Sequence, residues 1–114
     1  MAEAIALESM DPNSVSIDDI DVSRPELMQS DTHWGYFERL RNEDPVHYCK
    51  DSLFGPYWSI TKFNDIMEIE KHHELFSSAP GITLADRPED FATVNFIAMD
   101  PPKHDAQRKT VQGV

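Results

Sequence analysis

The chain has 114 residues, 39% hydrophobic and 27% charged, with 10 Lys or Arg against 21 Asp or Glu for a net charge of −11. That suits one globular domain rather than two, and so acidic a balance argues against nucleic acid or an anionic membrane as a bulk partner. No apolar run is long enough to cross a bilayer, the acidic start carries no basic leader, and the single cysteine, Cys49, has no partner for an internal disulfide, so the expectation is a cytoplasmic protein without a membrane anchor.

Acid is concentrated at the start. Residues 1–31 hold eight Asp or Glu and one Arg, and no aromatic precedes Trp34. With little to bury against its ordering entropy, the segment 1–29 reads as a mobile or loosely packed acidic arm, and residues 30–114 as the folded portion.

The first firm element is "SDTHWGYFERLRNEDP". Ser30 or Asp31 can cap a helix start, Trp34, Phe37 and Leu40 recur at a spacing of three as an apolar stripe, and Glu38, Arg39 and Arg41 face water. Asp44–Pro45 ends the helix, because the residue before proline avoids helical backbone angles. Two β-prone runs come next, "VHYCK" over 46–50 and "PYWSI" over 56–60, with Gly55 between them, and predict a hairpin. Thr61 is placed to cap a second helix through "TKFNDIMEIEKHH", and Leu75 and Phe76 are expected to pin the next segment to the core.

From Ser77 to Ala98 the periodicity is lost. Turn formers stand at Pro80–Gly81 and Pro88, yet the stretch carries Ile82, Leu84, Phe91, Val94, Phe96 and Ile97. A long connection with that much apolar content suggests a pocket wall or a concealed short helix. The coarse class is therefore mainly α with a small β-sheet.

The last element opens with "MDPPKHDAQRKTV". Asp100 suits an N-cap, and Pro101 at the first helical position sacrifices only an N–H that has no intrahelical partner. His104 and Arg108 then lie at i and i+4 on one face. A planar guanidinium and a directed imidazole near a mildly positive helix start make a receptor for an anion with two or more oxygens. Asp105 and Lys109 form an acid-before-base pair on the adjoining face. Taken alone, these residues also suit a small acidic interaction module without catalysis, its His104–Arg108 face gripping a partner's carboxylate or phosphate.

Other clusters are weaker. His72, His73 and Glu74, with His33 and His47, suggest a metal site, but adjacent helical histidines point about a third of a turn apart and do not converge on one ion. No glycine-rich phosphate loop, nucleophile elbow or Cys-x-x-Cys pair is present.

The string "FIAMDPPKHDAQRKTV" resembles the start of helix C in bacterial cytochromes P450, with its Met-Asp-Pro-Pro-x-His-x-x-x-Arg pattern. The upstream order, a helix ending in "DPV", strands through "FGPYWSITKFNDI", a helix, "LFSS" and then the loop, is similar as well. The wording from Gly81 to Val111 resembles the CYP153 group of alkane and fatty-acid terminal hydroxylases. Covering roughly residues 30–114, the resemblance implies the N-terminal portion of the P450 fold, truncated inside helix C. It implies haem b as cofactor, with His104 and Arg108 donating to a propionate and the axial thiolate coming from a Cys beyond this chain. It implies Ile82, Leu84, Phe96 and Ile97 as a wall for an apolar substrate, O2 as co-substrate, and electrons from NAD(P)H through a reductase and a ferredoxin, with Lys109 in the docking face. Cys49 lies in a strand and reads as a buried structural thiol, and no catalytic residue of the family falls on this chain.

Overall fold

A computed structural model describes residues 11–79, 81–86 and 95–113. The chain divides into two compact units, one up to Ile66 and one from Met67 onward.

In the first unit, α1 (Pro25–Gln29), α2 (Trp34–Glu43) and the strands β1 (Val46–Cys49) and β2 (Tyr57–Ile60) surround a small core. That core is Ile20, Val22, Leu27, Tyr36 and Leu40, with Val15, Ile17, Phe37 and Tyr57 packed against it. Three of these five buried residues come from the segment expected as a loose arm. For residues 11–29 that expectation is corrected, while residues 1–10 lie outside the described residues. Its charge misled the reading: Ile20, Val22 and Leu27 turn inward, and of the acidic residues Asp21 is buried with them, while Pro25 at the start of α1 pre-sets the turn that aims Leu27.

The α2 helix spans the expected stretch and ends at Asp44, but its buried stripe is Tyr36 and Leu40, one turn apart, not Trp34. Asp31 does not cap it. It adopts φ +58°, and its carboxylate accepts from Trp34 Nε1 at 2.8 Å, which holds the indole on the surface. Arg39 does not face water either. Its guanidinium donates to the carbonyls of Pro12 and Val15 and to Glu43, fastening the N-terminal segment across the helix.

The hairpin forms with antiparallel register Val46↔Ile60, His47↔Ser59, Tyr48↔Trp58 and Cys49↔Tyr57. Alternation turns His47, Cys49 and Ser59 inward and leaves Tyr48 and Trp58 in contact on the outer face, ring centroids 4.9 Å apart and planes tilted by 45°. Gly55 takes φ +85° in the connecting turn, a backbone region costly for other residues. His47 is buried, with Nδ1 2.8 Å from Asp44 Oδ2 and Nε2 3.0 Å from the Ile20 carbonyl. Thr61 does not cap the next helix: its N–H and hydroxyl both donate to the Pro45 carbonyl.

The helix α3 (Phe63–Lys71) crosses the division between the units and buries no residue. In the second unit it is followed by the loop, a 3-10 turn at Phe96–Ala98 and α4 (Lys103–Val111). The short turn was concealed in the aperiodic stretch. Asn95 caps it, its side-chain oxygen accepting from the Ile97 N–H at 3.0 Å. Phe91 and Val94 lie outside the described residues. Leu75 and Phe76 are 74% and 50% exposed, so they do not pin the segment as expected. Among the described residues the class is mainly helical with one two-stranded sheet, as the sequence indicates.

Candidate functional site

The site is built on α4 and the residues that lead into it. Asp100 was expected to cap the helix. Instead its carboxylate reaches back 22 residues, accepting from the Ser78 N–H at 2.8 Å and from the Ser77 hydroxyl. These two bonds, the Ser77 hydroxyl first, hold the Asp100 carboxyl below its ordinary pKa. The cap position falls on Pro102, while the His104 N–H donates to the Asp100 carbonyl at 3.0 Å. Asp100 therefore ties the helix entry to the turn after α3 rather than closing the helix end.

His104 and Arg108 follow on one face, and both line a shallow groove of about 220 Å³ with Asp105, Lys109 and Gln112. The His104 side chain is 26% exposed, with its Nδ1 2.9 Å from Asp105 Oδ1 and its ring edge-on to Phe96 at a centroid distance of 6.0 Å. The pairing corrects the expected partner of Asp105, which is His104 and not Lys109. Arg108 and Lys109 are exposed, and neither side chain makes a hydrogen bond or ion pair with any described residue.

A second depression of about 430 Å³ shares His104 and Asp105 with this groove, and there Phe76, Phe96, Ile97 and Met99 supply apolar walls and Glu70 and His73 a polar rim. Of the four residues expected as a substrate wall, Phe96 and Ile97 line it. Ile82 and Leu84, 59% and 46% exposed, do not.

Comparison with solved structures decides the fold's identity. A CYP153D17 protein from a Sphingomonas species superposes with a TM-score of 0.76 at 49% identity, over 84% of this chain and 25% of that one. The chain is the N-terminal part of a cytochrome P450 and resembles the CYP153 group. A P450-153 from Novosphingobium aromaticivorans matches this P450 portion with a TM-score of 0.73 at 39% identity, over 79% of the chain and 26% of its own length. Among curated relatives, linalool 8-monooxygenase of Pseudomonas putida is 30% identical over 102 residues, 80% of this chain and 25% of that protein. The methyl-branched lipid omega-hydroxylase of Mycobacterium tuberculosis is 29% identical over 120 residues, 96% of this chain and 28% of that protein. No protein-family model matches. The chain thus spans about a quarter of the length of these P450 relatives.

Within this P450 portion the remaining sequence candidates fall away from the site. Cys49 is buried in β1, its Sγ donating weakly to the Asp51 carbonyl at 3.6 Å, and desolvation followed by the Asp21 charge pushes its thiol pKa up. Such a thiol is neutral and inert. His72 sits between Glu68 and Glu74 on an exposed helix end, at 2.9 and 3.0 Å, and the two carboxylates raise its pKa, Glu74 more than Glu68. No group of three metal-ligating side chains converges among the described residues, and no helix there is long and apolar enough to cross a membrane. Sequence reading missed Phe76 and Met99 as walls, since only folding brings the α3 end against the 96–99 turn. It also missed the Asp105–His104 bond, because adjacent helical residues do not ordinarily face each other.

Proposed function

We propose that this chain supplies the haem-edge and part of the substrate wall of a haem-thiolate monooxygenase that inserts one atom of O2 into an unactivated C–H bond. The substrate class is the terminal methyl of alkanes or fatty acids. The observation carrying the proposal is that His104 and Arg108 line one groove on α4, while the Arg108 guanidinium has no carboxylate partner among the described residues of a chain with 21 acidic residues. A guanidinium fork without a partner beside an imidazole suits a carboxylate with two accepting oxygens. The apolar Phe96, Ile97 and Met99 nearby suit a hydrophobic plate carrying such a carboxylate. The donor set therefore fits a haem propionate.

His104 and Arg108 are assigned to hold that propionate, and Phe96 and Ile97 to face the substrate. Haem, when bound, supplies the oxidation chemistry through an iron whose thiolate comes from a Cys outside this chain. Lys109, exposed and without an ion pair, is assigned to the face that meets an acidic ferredoxin, fed from NAD(P)H by a reductase. The resemblance to the CYP153 group supports the terminal-carbon substrate, as does likeness to a relative named a lipid omega-hydroxylase.

The test is Arg108→Ala in the complete enzyme, followed by transfer of haem to excess apomyoglobin. Loss of a charge-assisted bond worth about 1.5–3 kcal/mol predicts haem loss faster by roughly ten- to a hundredfold. Unchanged haem retention refutes the assignment, and product analysis on alkane and terpene substrates decides the substrate class.

A further inference from the structure

Neighbouring side chains on a helix diverge by about 100°, so nothing in the backbone obliges His104 and Asp105 to meet. They do so nonetheless: Nδ1 lies 2.9 Å from Asp105 Oδ1, and Phe96 presents its ring edge-on to the imidazole. An ionised carboxylate only accepts, so Nδ1 carries a proton. Nε2 has no partner among the described residues. In the neutral ring that nitrogen is then a bare lone pair, which repels a carboxylate. Only the doubly protonated ring donates from both nitrogens.

Resting on the reading of His104 as a propionate donor, we infer that Asp105 is a positioning residue that fixes the His104 tautomer. His104 thereby grips a haem propionate as an imidazolium, and haem retention weakens as pH rises. Several charged groups face this ring. On α4 they are Asp105, Arg108 and Lys109; Asp100 stands at the helix entry, and Glu70 and His73 line the larger depression that His104 also lines. All of these groups except the one replaced are common to the unmodified protein and every variant of His104 or Asp105.

The experiment is haem transfer from the complete haem-bound enzyme to excess apomyoglobin between about pH 5.5 and 8.5, the range in which an ordinary histidine titrates. The unmodified protein is expected to lose haem about tenfold faster at the alkaline end, as one charge-assisted bond is lost. His104→Gln keeps a donor that does not titrate, and should hold haem with no such step. Asp105→Ala frees the neutral ring to carry its proton on Nε2, and should shrink the step to less than about threefold. A full-sized step in Asp105→Ala, or no step in the unmodified protein, overturns the role of Asp105 and leaves the propionate reading intact. The propionate reading itself fails by a different result, namely a His104→Ala variant that loses haem at the unmodified rate at every pH.

Discussion

The Tyr57 hydroxyl donates to Asp21 Oδ1 at 2.6 Å across 36 residues of chain, and joins the N-terminal segment to β2. The same oxygen of Asp21 accepts from the Ser23 N–H at 3.0 Å and the Ser23 hydroxyl at 2.6 Å, so a mostly buried carboxylate is held by three donors. Tyr57→Phe removes one of them and should cost about 1.5–3 kcal/mol in urea unfolding of the complete protein. Desolvation, then the hydrogen bond to Asp21 and its charge, raise the Tyr57 pKa well above its ordinary value. A folded-state pKa above the unfolded one gives stability that is whole below about pH 10 and declines as pH rises further. The urea midpoint should therefore fall above that pH, and less steeply in Tyr57→Phe. Equal slopes would show that Tyr57 carries none of this dependence.

Gly35 lies on α2 where the N-terminal segment crosses it, and an added Cβ would stand 2.7 Å from Pro12 Cγ. Alanine would gain roughly 1 kcal/mol in helix propensity. Against this, overpacking costs about 1–3 kcal/mol, and a proline ring has little freedom to move aside. The clash should win. Gly35→Ala is expected to displace residues 12–15 from the Arg39 guanidinium and expose them to protease, as should Arg39→Gln, which weakens the same attachment. Cleavage at the unmodified rate in both variants would mean that the segment is secured elsewhere, at Ile20 and Asp21.

Much of this was legible from sequence, and the failures share a cause. The helix ended by Asp44–Pro45, the hairpin around Gly55 and the His104–Arg108 face follow from local rules of backbone angle and spacing. Asp31, Thr61 and Asp100 were each expected to cap a helix, and each bonds elsewhere: to Trp34, to the Pro45 carbonyl and to Ser77–Ser78. A capping oxygen accepts or donates equally well at other sites; for Asp31 the winner is a side chain three residues on, and for Thr61 and Asp100 it is a chain segment far away in sequence. The acidic arm failed in the same manner. Its three buried aliphatics carry no periodicity, and only Tyr36 and Leu40 give them a place to pack.

Asp100 offers a sharper test of such a tertiary contact. Its pKa is lowered by the Ser77 hydroxyl and then by the Ser78 N–H. A depressed carboxylate contributes above its unfolded pKa of about 3.9, and the contribution is lost as pH falls through the lower folded value. The Ser78 amide should accordingly stay protected from hydrogen exchange at pH 4 in the complete protein, and open only at more acid pH. Asp100→Ala should exchange rapidly throughout. Protection of Ser78 that survives this substitution would assign the amide another acceptor.

The 114-residue chain by itself should lack a cooperative thermal transition. Its apolar cluster among the described residues is five buried side chains in the first unit, whereas α3 and α4 bury none. Ile66 and Met67 of α3 are 41% and 39% exposed, and on the outer hairpin face Trp58 is 61% exposed. Burial of a large apolar side chain is worth about 1.5–3 kcal/mol, so these uncovered faces withhold much of what would offset the ordering entropy of the chain. Helices of nine residues are too short to persist without a packed face. Calorimetry of residues 1–114 is expected to show a gradual, non-cooperative heat capacity rise, with helix signal fading over tens of degrees. A sharp two-state endotherm would show instead that the Tyr36–Leu40 cluster and its hydrogen-bonded ties are sufficient to fold the chain, and that the exposed apolar faces need no covering.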